Sequence, residues 1–396
     1  MKALLLPLLL AIGAGPGSRA GYELVHSAPV GTSLVTPDLR DPVTVWCAML
    51  GRARRTADFE QFYVSGKPGE SLDTVIGCMN AAARRGVKIR FLMEAKGQSF
   101  SDEPTIARVK AIPGIDFRLL DYSKVTGDGI IHAKFFVVDG QTAYVGSQNF
   151  DWRSLEHIDE TGLAIDDPHA VAQLGAIFAQ DWHAQAVIAG GGSPAPTNAR
   201  EVTADNSGAA TLVASPNAFN PPGVGDSEAE LVKLLAAATR EVRIEVMDYA
   251  PLDGQRHYYG VIDQAVRAAA ARGVAVKLIV ADWDLTPAKL PYLKSLAMLP
   301  QVEIRVATIP RAVGGFIPFA RVLHTKAMTV DGAVAWVGTS NWEGGYLDHS
   351  RNVELVLRDP ALVARVGALH RQLWDSAYAR PLDVNADYPA PHPGRE

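Results

Sequence analysis

Two hydrophobic rhythms alternate along the chain, and each appears twice. Residues 41–54 and 229–239 carry apolar side chains every three or four positions, which predicts amphipathic helices. Residues 58–64 and 241–249 read as strands. The runs 87–93 and 274–280 are dense in Val, Ile and Leu, as expected of interior strands. Each follows an Arg-Gly step, Arg85-Gly86 or Arg272-Gly273, where a glycine just beyond a helix suits a left-handed cap. Further on, Val137-Val138 and Thr329-Val330 run into the turn signals Asp139-Gly140 and Asp331-Gly332. Tyr144-Val145 and Trp336-Val337 then read as returning strands. Strand–helix–strand alternation predicts an α/β chain with helices on both sides of a sheet.

The pairing of elements reflects an internal repeat. Gly86 and Gly273 lie 187 residues apart, and Ile115-Asp116-Phe117-Arg118 matches Val302-Glu303-Ile304-Arg305 at the same offset. Ile131-His132-Ala133-Lys134 matches Leu323-His324-Thr325-Lys326 at offset 192, which Asp167-Pro168 with Asp359-Pro360 and Trp182 with Trp374 preserve. The second copy therefore carries five extra residues between 307 and 323. The predicted organisation is an export signal over 1–20, a first repeat over 21–189, a linker over 190–208 and a second repeat over 209–396. The signal is read from Lys2, the Leu-rich run that follows it and the small-x-small site Ser18-Arg19-Ala20. It predicts a secreted or periplasmic protein. The linker is read from its Gly, Ser, Pro and Asn content.

Composition adds bounds. With 396 residues, 48% of them hydrophobic, there is material for two cores. A net charge of −5 argues against tight, non-specific binding of duplex DNA, which needs many phosphate-neutralising cations. Cys47 and Cys78, the two cysteines, are open between a disulfide and two buried thiols.

The chemistry sits in the matched segments. The first copy holds His132, Lys134, Asp139, Gly146, Ser147 and Asn149. The second holds His324, Lys326, Asp331, Gly338, Thr339 and Asn341. One chance match of the five positions His, Lys, Asp, Gly and Asn is on the order of 10⁻⁷ per window from average residue usage, so two matches in register exclude coincidence. On a strand, His132 and Lys134 face one way, as do His324 and Lys326. Two imidazoles supply a nucleophile and a proton donor. Lys134, Lys326, Asn149 and Asn341 cradle phosphoryl oxygens. No metal or cofactor is called for, since the ammonium groups take that electrostatic role. Asp139 and Asp331 read as structural turn residues. Ser147 and Thr339 are open between phosphate contact and turn formation.

This pattern, H-x-K-x(4)-D-x(6)-G-[ST]-x-N, resembles that of the phospholipase D superfamily. The segments Asp151-Trp152-Arg153-Ser154-Leu155, Gly338-Thr339-Ser340-Asn341-Trp342 and Ile317-Pro318-Phe319-Ala320-Arg321-Val322 resemble those of its lysosomal 5′-exonuclease branch. The resemblance implies two α/β/α repeats packed as an intramolecular pseudo-dimer, with one active site at their interface. It also implies a two-step phosphodiesterase in which His132 forms a phosphohistidine, while His324 protonates the leaving group and then activates water. The family places a Glu where it orients the His. Glu160 and Glu354, 28 and 30 residues after their histidines, are the candidates.

The implied substrate is single-stranded nucleic acid, with a phospholipid headgroup (by hydrolysis or transphosphatidylation) as the alternative. A non-enzymatic lipid- or envelope-binding protein on the same fold would carry damaged motifs, and both motifs are complete. A monomer is expected, with no obligate protein partner. The apolar loop 310–322 is open between transient membrane contact and a gate packed on the other repeat. Trp152 and Trp342 are open between base stacking and core packing. Tyr63 and Tyr249 are open between cleft and core, and Arg153 and Arg351 between substrate contact and ion pairing. His26 has no assigned role.

Overall fold

The computed structural model describes residues 18–19, 21–197 and 209–395. Apart from 18–19, the expected export signal lies outside the described residues, as do positions 198–208 of the expected linker. Two mixed sheets organise the chain. In the first, Tyr22–Ser27, Glu160–Ile165, Thr142–Gly146, Phe135–Val138, Thr56–Gln61, Lys88–Glu94 and Asp116–Leu120 lie side by side in that order. The second repeats the arrangement with Ala210–Ser215, Asn352–Leu357, Val334–Gly338, Ala327–Val330, Glu241–Val246, Ala275–Ala281 and Val302–Ala307. The last three strands of each set run parallel, and the remaining neighbours are antiparallel.

The helix signals act as read. Asp167 and Asp359 cap the helices Pro168–Ala189 and Pro360–Trp374, accepting from backbone N–H groups of the first turn. Pro occupies the position where no N–H is needed. Gly86 and Gly273 take φ of 93° and 92° and end their helices in the left-handed region. Helices Pro42–Arg52 and Ser71–Arg84 cover the outer face of the first sheet, and a disulfide between Cys47 and Cys78 joins them. Ser227–Ala237 and Val261–Ala271 cover the second sheet in the same way.

The inner faces meet each other. Leu24, Phe135, Val145 and Leu163 of the first sheet share one buried cluster with Leu212, Val337, Val353 and Leu355 of the second. Helices Pro168–Ala189 and Pro360–Trp374 complete that shared core. The two repeats therefore bury a common apolar interface, and the cleft that matters opens along its edge.

One local expectation changes. His132 and Lys134, like His324 and Lys326, precede their strands, which begin at Phe135 and Ala327. The reason is long-range pairing. The N–H groups of His132 and Ala133 both donate to the Arg351 carbonyl, at 2.9 and 2.8 Å. Those of His324 and Thr325 both donate to the Asp159 carbonyl, at 2.9 Å each. Each His-x-Lys segment is thus held by the opposite repeat rather than by its own ladder.

Candidate active site

His132, His324, Asn149 and Asn341 line one cleft of about 820 Å³ between the repeats. Lys134 and Lys326 lie beneath it, each 1% exposed. Lys326 Nζ donates to the His324 carbonyl at 2.5 Å, and Lys134 Nζ donates to that of His132. Burial, reinforced for Lys134 by the charge of Lys326, pushes both ammonium groups down, Lys326 to about 7.

The imidazoles are fixed at Nδ1 by partners from the other repeat. His324 Nδ1 lies 2.7 Å from Glu160 Oε2. His132 Nδ1 lies 3.0 Å from Asn352 Oδ1. The Asn352 amide is oriented by two further bonds: its Nδ2 donates to the Tyr346 carbonyl at 2.8 Å, and Thr339 Oγ1 donates to its Oδ1 at 2.8 Å. The oxygen therefore faces His132, so the ring carries its proton on Nδ1 and leaves Nε2 with a free lone pair. Burial, followed by the charges of Lys134 and Lys326, drives the His132 pKa well below the usual imidazole value. His324 is also lowered by burial, but Glu160 opposes that shift. Burial would raise the Glu160 carboxyl; the charge and hydrogen bond of His324 outweigh it and hold the group low.

The expected pairing of each histidine with its own repeat's carboxylate is corrected by this geometry. Glu160 serves His324, not His132. Glu354 reaches neither imidazole; its carboxylate takes hydrogen bonds from Ser227 and Ser340. It packs below Gly338, where an added Cβ would lie 2.2 Å from Glu354 Cγ. Gly146 is similarly constrained, with its Cβ position 2.9 Å from Gly162 Cα. Burial pushes the Glu354 pKa up to about 7.

Other candidates separate clearly. Asp139 and Asp331 sit at the strand turns, with φ of 56° and 54°. Their carboxylates accept the backbone N–H groups of residues 54–56 and 239–241. Ser147 bonds the Thr161 backbone beside Glu160. Trp152 and Trp342 pack in the cores. Tyr63 lines the cleft, whereas Tyr249 is buried and donates to Asp263. Arg351 is fully buried against Asp181, at 2.6 and 3.0 Å. Arg153 pairs with Asp151 at the cleft wall and donates to the Pro318 carbonyl. The loop 310–322 is thereby tied to the first repeat. His26 stands behind the site, its Nε2 2.8 Å from Asp159 Oδ1.

Sequence reasoning missed Asn352, Tyr346, Asp248 and Trp283. The first was accessible, because the offset of 192 that relates the motifs also relates Glu160 to Asn352. Tyr346 meets the His132 ring edge-on at 4.8 Å, and Asp248 accepts from Asn341 Nδ2 at 3.1 Å. The carboxylates of Asp248, Asp284 and Glu343 offer ligand atoms within 4.8 Å of one another. Lys289 Nζ stands 2.7, 3.2 and 2.6 Å from them, so an ammonium already supplies the positive charge there.

Comparison with known proteins agrees with the two-repeat organisation. A family model described as cardiolipin synthase, PLD-like domain, matches residues 46–182 and 231–374, one match in each repeat. A probable phospholipase D of Caenorhabditis elegans is 29% identical, over 91% of this chain and 70% of its own. Phospholipase D Z of Dictyostelium discoideum is 30% identical, over 85% of each. The 5′-3′ exonuclease PLD3 of Xenopus tropicalis is 29% identical, over 92% of this chain and 81% of its own. Phosphatidylserine synthase of Haemophilus influenzae shares the fold at a TM-score of 0.58 and 13% identity, over 86% of this chain and 85% of its own. Two matched domains, two HxK motifs and one cleft between them establish that the chain belongs to the phospholipase D superfamily, a family of phosphodiester-cleaving enzymes.

Proposed function

We propose that the protein hydrolyses phosphodiester bonds of single-stranded nucleic acid from a 5′ end, through a covalent phosphohistidine on His132. The observation that carries the mechanism is the unequal support of the two imidazoles: a neutral amide oxygen on His132, a carboxylate on His324. A neutral ring held with Nε2 unprotonated is a nucleophile. A ring backed by a carboxylate is the one that stabilises an added proton, and so serves as general acid. His132 Nε2 forms a bond to phosphorus as the bond to the leaving oxygen breaks, and His324 gives that oxygen its proton. His324, now neutral, takes a proton from water, whose oxygen attacks the phosphorus and releases His132. Lys134, lowered by burial and then by the charge of Lys326, and Lys326, lowered by burial, regain full charge beside an anionic phosphate and stabilise its equatorial oxygens.

The aromatic lining of the cleft supports a nucleic-acid substrate. Phe62, Tyr63, Phe100, Trp283, Phe319 and Tyr346 surround the histidines, and base–aromatic stacking contributes about 1–3 kcal/mol per base. Several relatives are named as 5′-3′ exonucleases, while others are named as phospholipases D. The Cys47–Cys78 disulfide supports residence in an oxidising compartment outside the cytosol. The test gives the purified protein a fluorescent 5′-hydroxyl oligonucleotide and, separately, phosphatidylcholine vesicles, both with EDTA. Stepwise shortening of the oligonucleotide is expected. An intact oligonucleotide alongside released choline refutes the substrate reading.

A further inference from the structure

A second cavity, of about 540 Å³, adjoins the catalytic cleft on the side of the second repeat. Trp283 lines both spaces. The loop carrying the five-residue insertion runs between them: Phe319 and Val322 face the cleft, while Phe316, Ile317, Ala320 and Arg321 face the cavity. The loop is held in place from two sides. Arg153 of the first repeat donates to the Pro318 carbonyl at 3.0 Å, and Phe319 N donates to the Pro393 carbonyl at 2.8 Å. Residues 388–393 and Arg395, near the C-terminus, form part of the cavity wall.

The charge of this cavity contrasts with that of the protein. Arg311, Arg321, Arg380 and Arg395 line it, in a chain of net charge −5. Arg321 is nearly buried and donates to the carbonyls of Pro310 and Val30. The guanidinium-bearing residues Arg311, Arg380 and Arg395 are exposed. Among the described lining residues the sole carboxylate is Asp282, which burial pushes up to about 6, so even this charge is weakened. Arginine presents a planar fork of donors that matches phosphate oxygens in pairs.

We infer that this cavity is a phosphate-binding subsite for the nucleotides that follow the scissile bond, with Trp283 available to stack a base at the passage from the cleft. The inference rests on the nucleic-acid reading and sharpens it. A phospholipid presents its headgroup phosphate to the cleft and has no repeating phosphate to extend into a cationic space beyond it. A polynucleotide has one at every residue. The subsite would bind the chain without taking part in the chemistry.

The test uses the full-length protein and two substrates: a long 5′-hydroxyl oligothymidylate and the thymidine dinucleotide, which has a single phosphodiester. In the variant Arg311→Ala/Arg380→Ala/Arg395→Ala, KM for the oligonucleotide should rise by about tenfold or more while kcat stays within about twofold. For the dinucleotide, kcat/KM should be unchanged. Oligonucleotide binding should also lose about 0.7 of log–log salt slope for each arginine removed. Arg380→Glu alone, a single exposed change, should raise the oligonucleotide KM selectively. Wild-type behaviour of both variants on the oligonucleotide, or equal losses on both substrates, overturns the subsite. Failure of the wild type on both nucleotides, with choline released from phosphatidylcholine vesicles, instead overturns the nucleic-acid reading on which the subsite rests.

Discussion

Replacing Glu354 by Gln separates a structural carboxylate from a catalytic one. Glu354 is fully buried, and its neighbours are hydroxyls and backbone N–H groups rather than a cation. Burial raises its pKa from 4.5 to about 7 in the folded protein. The sign follows from linkage. Below about pH 4 the group is protonated in both states and costs nothing. Between the unfolded and folded values the unfolded chain ionises first, so stability drains away as pH rises and the loss is complete above about 7. A displacement of this size corresponds to about 3 kcal/mol at 1.36 kcal/mol per unit. Glutamine keeps the shape and cannot ionise. Urea unfolding of both proteins at about pH 4 and about pH 8 should show the variant gaining about 3 kcal/mol relative to wild type between the two conditions. Turnover should change by less than about threefold, because the group touches neither imidazole. A pH-independent stability difference refutes the burial argument. A large loss of kcat in folded variant refutes the assignment of Glu354 to the scaffold.

Three further outcomes are expected. Glu160→Gln removes the carboxylate behind His324, so kcat should fall by about 10²–10⁴ with little change in KM; the alkaline limb of the pH–rate profile should move to lower pH, because the imidazolium loses its partner. Asn352→Asp places a carboxylate on His132 and should raise its pKa, moving the acid limb of the profile upward by about 1–3 units; an unmoved limb contradicts the nucleophile assignment. Cys47→Ser opens a loop with a separation of 31 residues and should cost about 3–4 kcal/mol on the chain-entropy account, read by denaturant unfolding.

Much of this molecule was legible in its residues, for identifiable reasons. The sheets follow from apolar runs such as 87–93 and 274–280, and the helix starts from Asp-Pro pairs whose side-chain caps are local. Motif spacing brought His132, Lys134 and Asn149 together because a strand, a tight turn and a returning strand are short-range objects. What was illegible is what crosses between repeats. Read copy by copy, each histidine pairs with the carboxylate of its own half, yet Glu160 supports His324 and Asn352 supports His132. The same crossing explains why the His-x-Lys segments end short of their strands, since the carbonyls of Arg351 and Asp159 take their N–H groups. The arginine-lined cavity was illegible for a related reason. Arg311, Arg380 and Arg395 are far apart in sequence and carry no shared spacing.

The most direct measurement is mass-spectrometric location of the covalent adduct after acid-free quenching during turnover of an oligonucleotide. A nucleotidyl phosphate on the peptide containing His132 is predicted for the wild type and absent from His132→Ala. An adduct on His324 instead, or sustained turnover by His132→Ala, would contradict a shared cleft in which the amide-supported imidazole attacks and the carboxylate-supported one moves the proton.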